Sequence, residues 1–371
     1  MRELALKNRL ADLGMKFEER YGVEIPTECD GFDTEYDMVR NHVAVTDFSF
    51  MQKFSVPEET GVDFLDSIFA GDVARVRFGR MLHTFLANDA GEIIADCYVV
   101  NNDEEFIILC ESLIDDDSLL NVFNEHGAEE AGLKNLTDTH VLLGVDGYKS
   151  WSVVKDIFGA DTLGLPYLSV EPYPFDGADE DVLFFRGGKT SEFGYLLMTD
   201  NKTGLKLFDS VLEKSKSYDG GLCGVNIHAD LRLEGRFFNI FAEGLVVKNP
   251  LSLGLQWMID FDKEEFIGFD VITKNREAGL THKIIGIQGK KDDANFEIGT
   301  KIFHGEKVVA EISAVTYSPL LDSKVGLALF DIEYAYAGLE FSLKSTDGSK
   351  ISTISMPPII PKSLSLRLDE M

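Results

Sequence analysis

The sequence predicts an α+β protein that ends in a separate all-β unit. Two observations carry this. Through about residue 270, segments of helical period mix irregularly with short apolar runs, without the regular strand–helix–strand spacing of a parallel sheet. After about Ile272 only strand-like runs remain, with turn residues between them. The division is placed at 1–275 and 276–371, in the charged, poorly patterned stretch TKNREAGL. A chain of 371 residues exceeds the usual single domain, and its 44% hydrophobic and 11% aromatic content suffices for packed cores.

The elements follow in order. Leu4, Leu6, Leu10 and Leu13 recur at near-helical spacing and predict an amphipathic helix over 2–20. The segment YDMVRNHVAVTDFSFMQKFSV opens helical and becomes a strand near Val43, and residues 60–70 suit a second helix. From Arg75 to Leu109 the runs HTFLAND, EIIADCYVV and EFIILC are separated by turn residues, which predicts an antiparallel meander. An acidic helix over 114–126, the strand HVLLGV, the helix SWSVVKDIFG, the strands VLFFR and YLLMT and a helix over 203–217 complete this part. Beyond it, THKIIGIQG, NFEIGTKIF, KVVAEISAVTYSP, KVGLALFDIEYAY and EFSLKSTDGSKISTISM predict a barrel or sandwich of about six strands.

Charge narrows the function. Lys plus Arg total 35 against 64 Asp plus Glu, a net charge of −29 and a pI near 4.5. A nucleic-acid partner needs a basic footprint, and an anionic membrane surface attracts basic segments, so neither is expected. Cys29, Cys97, Cys110 and Cys223 form no C-x-x-C pair, which predicts reduced thiols in a cytoplasm-like compartment. The first residues lack the apolar core of a signal peptide, and no apolar run approaches the roughly 20 residues of a membrane span. The seven histidines are dispersed without metal-ligand spacing, so no metal is expected. The string GGKT is not a phosphate loop, because Leu183 stands where that motif needs its first glycine; no dinucleotide fingerprint and no G-x-S-x-G occur either.

Three residues stand out chemically. Asp96 lies in EIIADCYVV, where an ionised carboxylate loses hydration and must find donors or shift its pKa; the alternative is an edge-strand acid pointing to water. Glu192 is bracketed by Gly187, Gly188 and Gly194, which predicts a tight turn holding a carboxylate near a cavity. Arg232, in HADLRLEGRF, is either a solvated ion-pair partner of Asp230 and Glu234 or a fork that grips a ligand carboxylate. Cys97 reads as inert packing in an apolar strand.

In order and spacing these segments resemble the glycine-cleavage T-protein (aminomethyltransferase) superfamily. VRNHVAVTDFSFMQKFSV resembles its "V-R-x-x-x-G-L-F-D-V-S-H-M", with Asp47, Ser49 and Met51 in register. HTFLANDAGEIIADCYVV resembles "Y-x-x-L-L-N-E-x-G-G-I-I-D-D-L-x-V", matching Asn88, Gly91 and Asp96. KTSEFGYLL is similar to "Y-T-G-E-D-G-F-E-I", matching Thr190, Glu192, Gly194 and Tyr195. CGVNIHADLRLEGRF, NPLSLGLQWMIDFDKEEFIG and the pair Ser318-Pro319-Leu320 with VGLALF extend the likeness, which runs from about Tyr36 to Pro357.

The resemblance implies a three-lobed folate-binding fold with a C-terminal β barrel, and a tetrahydrofolate-dependent transfer of a one-carbon unit from a small donor to N5. It places Asp96 beside the reacting nitrogens of the pterin as the catalytic residue, and Glu192, Tyr195 and Arg232 on the folate. Lys189, Arg232, Lys274, Arg276 and Lys283 are the candidates for a basic mouth that receives the folate tail. The donor side departs from the family: Phe50 replaces the histidine of S-H-M, and Asp146 the glutamine of L-Q-G-P. Cys110-Glu111-Ser112 stands for V-N-A, and His228-Ala229 for R-D. Glu111, Asp146 and Ser49 are therefore the candidate donor-side residues. A demethylase-type relative acting on a methylated amine, sulfonium or ether is the alternative, as is a non-catalytic folate-binding protein. The K-G-C-x-G-Q-E motif of the iron–sulfur-assembly branch is absent. Partners implied by the resemblance are a lipoyl carrier protein or a flavin amine dehydrogenase subunit.

Overall fold

A computed structural model describes residues 2–344 and 349–371. The chain divides into two compact units, one of Met1–Phe85, Ala95–His228 and Pro361–Met371, the other of Leu86–Ile94 and Ala229–Ile360.

The first unit opens differently from expectation. The helix predicted over 2–20 is only α1 (Lys7–Asp12), which buries Leu10. Gly14, at φ +90°, stops it, since that backbone conformation suits glycine alone. The charged run that follows forms β1 (Lys16–Arg20), an antiparallel ribbon with β2 (Val23–Glu28). Then come α2 (Phe32–Asn41), β3 (Ala44–Asp47), β4 (Gln52–Pro57) and α3 (Glu58–Ile68). The meander is β5 (Arg80–Ala87), β6 (Ile93–Asn101) and β7 (Glu105–Ser112). Next are α4 (Asp116–Glu125), α5 (Ala128–Ala131), β8 (Lys134–Asn135), β9 (His140–Asp146) and α6 (Ser150–Phe158). Asp115 caps α4 by accepting from the Ser118 N–H at 2.9 Å, which satisfies an otherwise orphaned donor. The chain continues through β10 (Ser169–Tyr173), β11 (Val182–Arg186), β12 (Gly194–Asp200), α7 (Asn201–Lys216), β13 (Gly221–Leu222) and α8 (Val225–Gly235), whose residues from Ala229 on belong to the second unit.

One 11-stranded sheet gathers these strands in the order β13-β3-β9-β12-β11-β10-β5-β6-β7-β4-β8. β13 pairs β3 in parallel, whereas β3–β9, β9–β12, β12–β11, β11–β10, β10–β5, β6–β7, β7–β4 and β4–β8 are antiparallel. Val43, Val45, Leu143, Phe184, Tyr195, Leu207 and Phe208 share one apolar core. Each large side chain so buried contributes about 1.5–3 kcal/mol. β6 lies between β5 and β7 and is buried along nearly its whole length, so it carries no edge at which an acid could point to water.

In the second unit α9 (Glu243–Val246) and α10 (Phe269–Ala278) precede a closed barrel. Residue 276 thus falls inside α10. Gly91 on the β5–β6 turn packs so closely that a Cβ there would stand 3.1 Å from Ile272. The barrel strands are β14 (His282–Lys290), β15 (Lys301–His304), β16 (Lys307–Ser318), β17 (Ser323–Asp331), β18 (Glu340–Ser342) and β19 (Lys350–Ile354). Pairing of β14 with both β17 and β19 closes the ring and leaves no exposed sheet edge. Ile287, Phe296, Ile302, Ile312, Phe330, Phe341 and Ile351 fill it. Of NFEIGTKIF only the last three residues are strand, and within EFSLKSTDGSKISTISM residues 345–348 lie outside the described residues. Among the described residues no helix is long and apolar enough to cross a membrane.

Candidate active site

Three neighbouring strands each place a titratable side chain in one cluster. Asp96 on β6 is the direct register partner of Glu111 on β7. Two carboxylates facing each other across strands repel, so the pairing needs a cation. Lys189, from the loop between β11 and β12, supplies it: its Nζ donates to Asp96 Oδ2 at 2.5 Å and to Glu111 Oε2 at 2.8 Å. His83 on β5 holds the other Asp96 oxygen, with Nε2 2.6 Å from Oδ1. Relative exposures are 1% for Asp96, 2% for Glu111, 7% for Lys189 and 8% for His83, so bulk water is nearly absent. Tyr98, two residues along β6 from Asp96, lies with its ring 4.7 Å from that of His83 and 5.1 Å from the Lys189 ammonium.

Burial alone would push the Asp96 carboxyl up. Lys189 and His83 outweigh it and hold that carboxyl well below the usual carboxylate range. Burial pushes the His83 imidazole down, against the pull of Asp96, so the ring stays neutral near pH 7. Asp96 is therefore an ionised acid inside the sheet, and the water-facing alternative is excluded. Cys97 has its Sγ 3.2 Å from that of Cys110; burial and this neighbour push its thiol well up, in keeping with packing.

The glycine-bracketed loop is pinned at several points. Arg40 on α2 donates through Nη1 to the Thr190 carbonyl at 2.9 Å and to Glu192 Oε1 at 3.1 Å. The Ser363 N–H donates to Glu192 Oε2 at 3.2 Å. Ser191 takes a left-handed φ of +72°. Gly188 and Gly194 make room for Asp146, whose Oδ1 would stand 2.9 Å and 2.7 Å from a Cβ at either position. The structure thus brings Asp146 beneath the loop that carries Lys189 and Glu192. The buried Thr190 hydroxyl, between those two residues, has no hydrogen-bond partner among the described residues.

Other candidates are placed elsewhere. The Ser49 hydroxyl accepts from the Leu142 N–H at 3.0 Å, and the Ser49 N–H donates to Asp47 at 2.8 Å, so the side chain fixes the β3–β4 turn. Tyr195 lies in the apolar core with its ring 5.2 Å from that of Phe184, and burial pushes its hydroxyl up to about 12. Arg232 is buried in the second unit, where burial raises Glu243 against the opposing charges of Arg236 and Arg232. That excludes the solvated ion pair. Of the residues expected at a basic mouth, Lys189 is a correction: the sheet's two facing carboxylates draw it inside. Lys274, Arg276 and Lys283 are exposed in the second unit.

Sequence reasoning missed His83 and Arg40. His83 was visible only as one of seven scattered histidines, because the strand pairing that sets it against Asp96 is long-range. Arg40 had a signal: it is the arginine of the V-R pair in VRNHVAV.

An α+β unit followed by a six-stranded closed barrel is the architecture of the T-protein fold. Residues 6–263 match the family model described as the GCVT N-terminal domain, and the chain belongs to the glycine-cleavage T-protein superfamily. It is 27% identical over 335 residues to the aminomethyltransferase of Alkaliphilus oremlandii (strain OhILAs), covering 89% of this chain and 90% of that one. It is 25% identical over 320 residues to the aminomethyltransferase of Bacillus subtilis (strain 168), covering 85% and 87%. The crystal structure of glycine cleavage system aminomethyltransferase T from Bartonella henselae shares the fold, with a TM-score of 0.80 at 18% identity over 97% of this chain and 98% of that one.

Proposed function

We propose that this chain is a tetrahydrofolate-dependent one-carbon transferase, moving an aminomethyl or methyl unit from a small donor to N5 of tetrahydrofolate. The observation that carries it is the Asp96 carboxylate, buried yet held ionised by Lys189 and His83. The residues fit a pterin: Glu192 is an acceptor for paired ring N–H groups, and the unpartnered Thr190 hydroxyl beside it leaves one polar contact to be made. Tetrahydrofolate, when bound, supplies the N5 nucleophile. Asp96 stabilises positive charge developing at the transferred carbon, and its dry surroundings strengthen that interaction. His83 fixes the orientation of the carboxylate.

The test is incubation of the purified protein with tetrahydrofolate and a panel of aminomethyl and methylated donors, with products read by mass spectrometry. Asp96→Asn is expected to lower kcat by about 10²–10⁴-fold while the Kd for tetrahydrofolate changes little. Absence of both folate binding and product from every donor rejects the assignment.

A second reading, demethylation of a methylated amine or sulfonium, is favoured by one feature. The cluster sets two carboxylates against one lysine, and Glu111 takes the place of a neutral family residue. That excess negative charge suits a cationic donor. It predicts 5-methyltetrahydrofolate. An aminomethyl donor on a lipoyl carrier, or formaldehyde from a flavin amine dehydrogenase, predicts the 5,10-methylene product instead.

A further inference from the structure

We propose that Lys189 is the positioning residue of this site: its ammonium, shared between Asp96 and Glu111, is what allows two facing carboxylates to stand ionised side by side. The geometry is specific. Register puts the two acids directly opposite each other on β6 and β7, and both are buried. Left to themselves, two carboxylates sharing a dry site hold one proton between them. A protonated Asp96 has no charge with which to stabilise a cationic centre. Lys189 removes the conflict by donating to one oxygen of each acid.

The loop is built to deliver it. Arg40 holds the Thr190 carbonyl, the Tyr167 hydroxyl donates to the Gly188 carbonyl at 3.1 Å, and Asp146 packs where any side chain at Gly188 would collide. The titratable groups facing Asp96 are then His83 from β5, Glu111 from β7, Lys189 from the loop and Tyr98 from β6 itself. Of the two basic groups among these, burial pushes His83 down, and Lys189 is the one that bridges both acids. His83 therefore orients Asp96, and Lys189 sets its charge. The charge arrangement belongs to the meander; only its catalytic consequence rests on the one-carbon function proposed above.

Carboxyl 13C NMR of Asp- and Glu-labelled protein tests this without substrate, with Asp96→Asn and Glu111→Gln assigning the two signals. In the wild-type protein neither carboxyl is expected to titrate between pH 8 and pH 5. In Lys189→Met one of the two is expected to titrate inside that window, a rise of about two units or more. Lys189→Arg is expected to restore the flat profile. A folded Lys189→Met protein with a flat profile, or an arginine variant that titrates like the methionine one, overturns the proposal. Should Lys189→Met fail to fold, the wild-type titration decides: either carboxyl titrating above pH 5 overturns it, and two flat profiles restored in the arginine variant sustain it. Failure of tetrahydrofolate to bind rejects the functional assignment and leaves this result standing.

Discussion

Two carboxyls in this chain, Asp96 and Asp230, meet opposite fates. On the meander, Asp96 and Glu111 share the Lys189 ammonium, and Asp96 stays ionised. In the second unit, Asp230 and Glu234 lie four residues apart on α8, where side chains share a face. The donors reaching them from β16 are hydroxyls: Thr316 to Asp230 at 2.6 Å, and Ser318 to Glu234. Burial pushes the Asp230 carboxyl up to about 6, against the Thr316 hydrogen bond. A hydroxyl satisfies a lone pair but brings no charge, so desolvation prevails; an ammonium offsets it. Protonation inside this protein follows the charge of the donor more than the number of hydrogen bonds.

The most severe way to break the contrast is to remove the ammonium. Lys189→Met is expected to cost about 3–5 kcal/mol in urea unfolding at pH 7, because two buried carboxylates lose their partner. Adding Glu111→Gln is expected to recover part of that loss, since the two changes act on one network. A loss in Lys189→Met below about 1 kcal/mol, the size of a surface pair, means that the acids have another charge partner.

Much of this contrast was not visible in the residue order. The meander was legible, because turn residues separate its apolar runs, and so was the odd placement of Asp96 within one of them. That pattern left open which way the side chain points; the structure resolves it by burying Asp96 against His83 and Lys189. Glu192 and Asp96 were found by their local settings. In the sequence Lys189 is a candidate for the basic mouth, because only long-range pairing puts Glu111 opposite Asp96 and creates the demand for it. The first helix was overextended because leucine spacing outweighed Gly14, whose positive φ ends it. The barrel strands were legible from alternation. The helix Phe269–Ala278 was not, since only Ile272 of its residues is buried and no apolar stripe marks it.

Lys53 sharpens the comparison from the cation's side. It is buried, as Lys189 is, but its Nζ donates to two carbonyls, of Ser49 at 2.9 Å and Met51 at 2.8 Å, rather than to carboxylates. Burial, aided by Arg2, pushes its amine down from 10.5 to about 7. Between these values the unfolded chain binds a proton that the folded chain does not, so stability attributable to Lys53 rises with pH across about 7–10.5. Lys53→Met is expected to remove that slope, by about 1 kcal/mol per pH unit relative to wild type between pH 7.5 and 9.5. Parallel pH profiles of the two proteins in chemical unfolding reject the assignment.

The smallest expected effect is at Asp230, and its sign is the reverse of what a carboxylate held by an ammonium would give. Its folded value of about 6 exceeds the ordinary 3.8, so the folded state binds the extra proton between them. Stability from this group is complete below about pH 4 and is lost as pH rises through 6. Asp230→Asn keeps an oxygen able to accept from Thr316 and removes the half-buried charge. The variant is expected to match wild type near pH 4 and to exceed it by about 1–2 kcal/mol above pH 7. The same exchange at Asp96, where the charge has a partner, is expected to destabilise at pH 7. Measured side by side by thermal unfolding, Asp230→Asn and Asp96→Asn should move in opposite directions; a shared direction means that charge on the donor is not what separates the two sites.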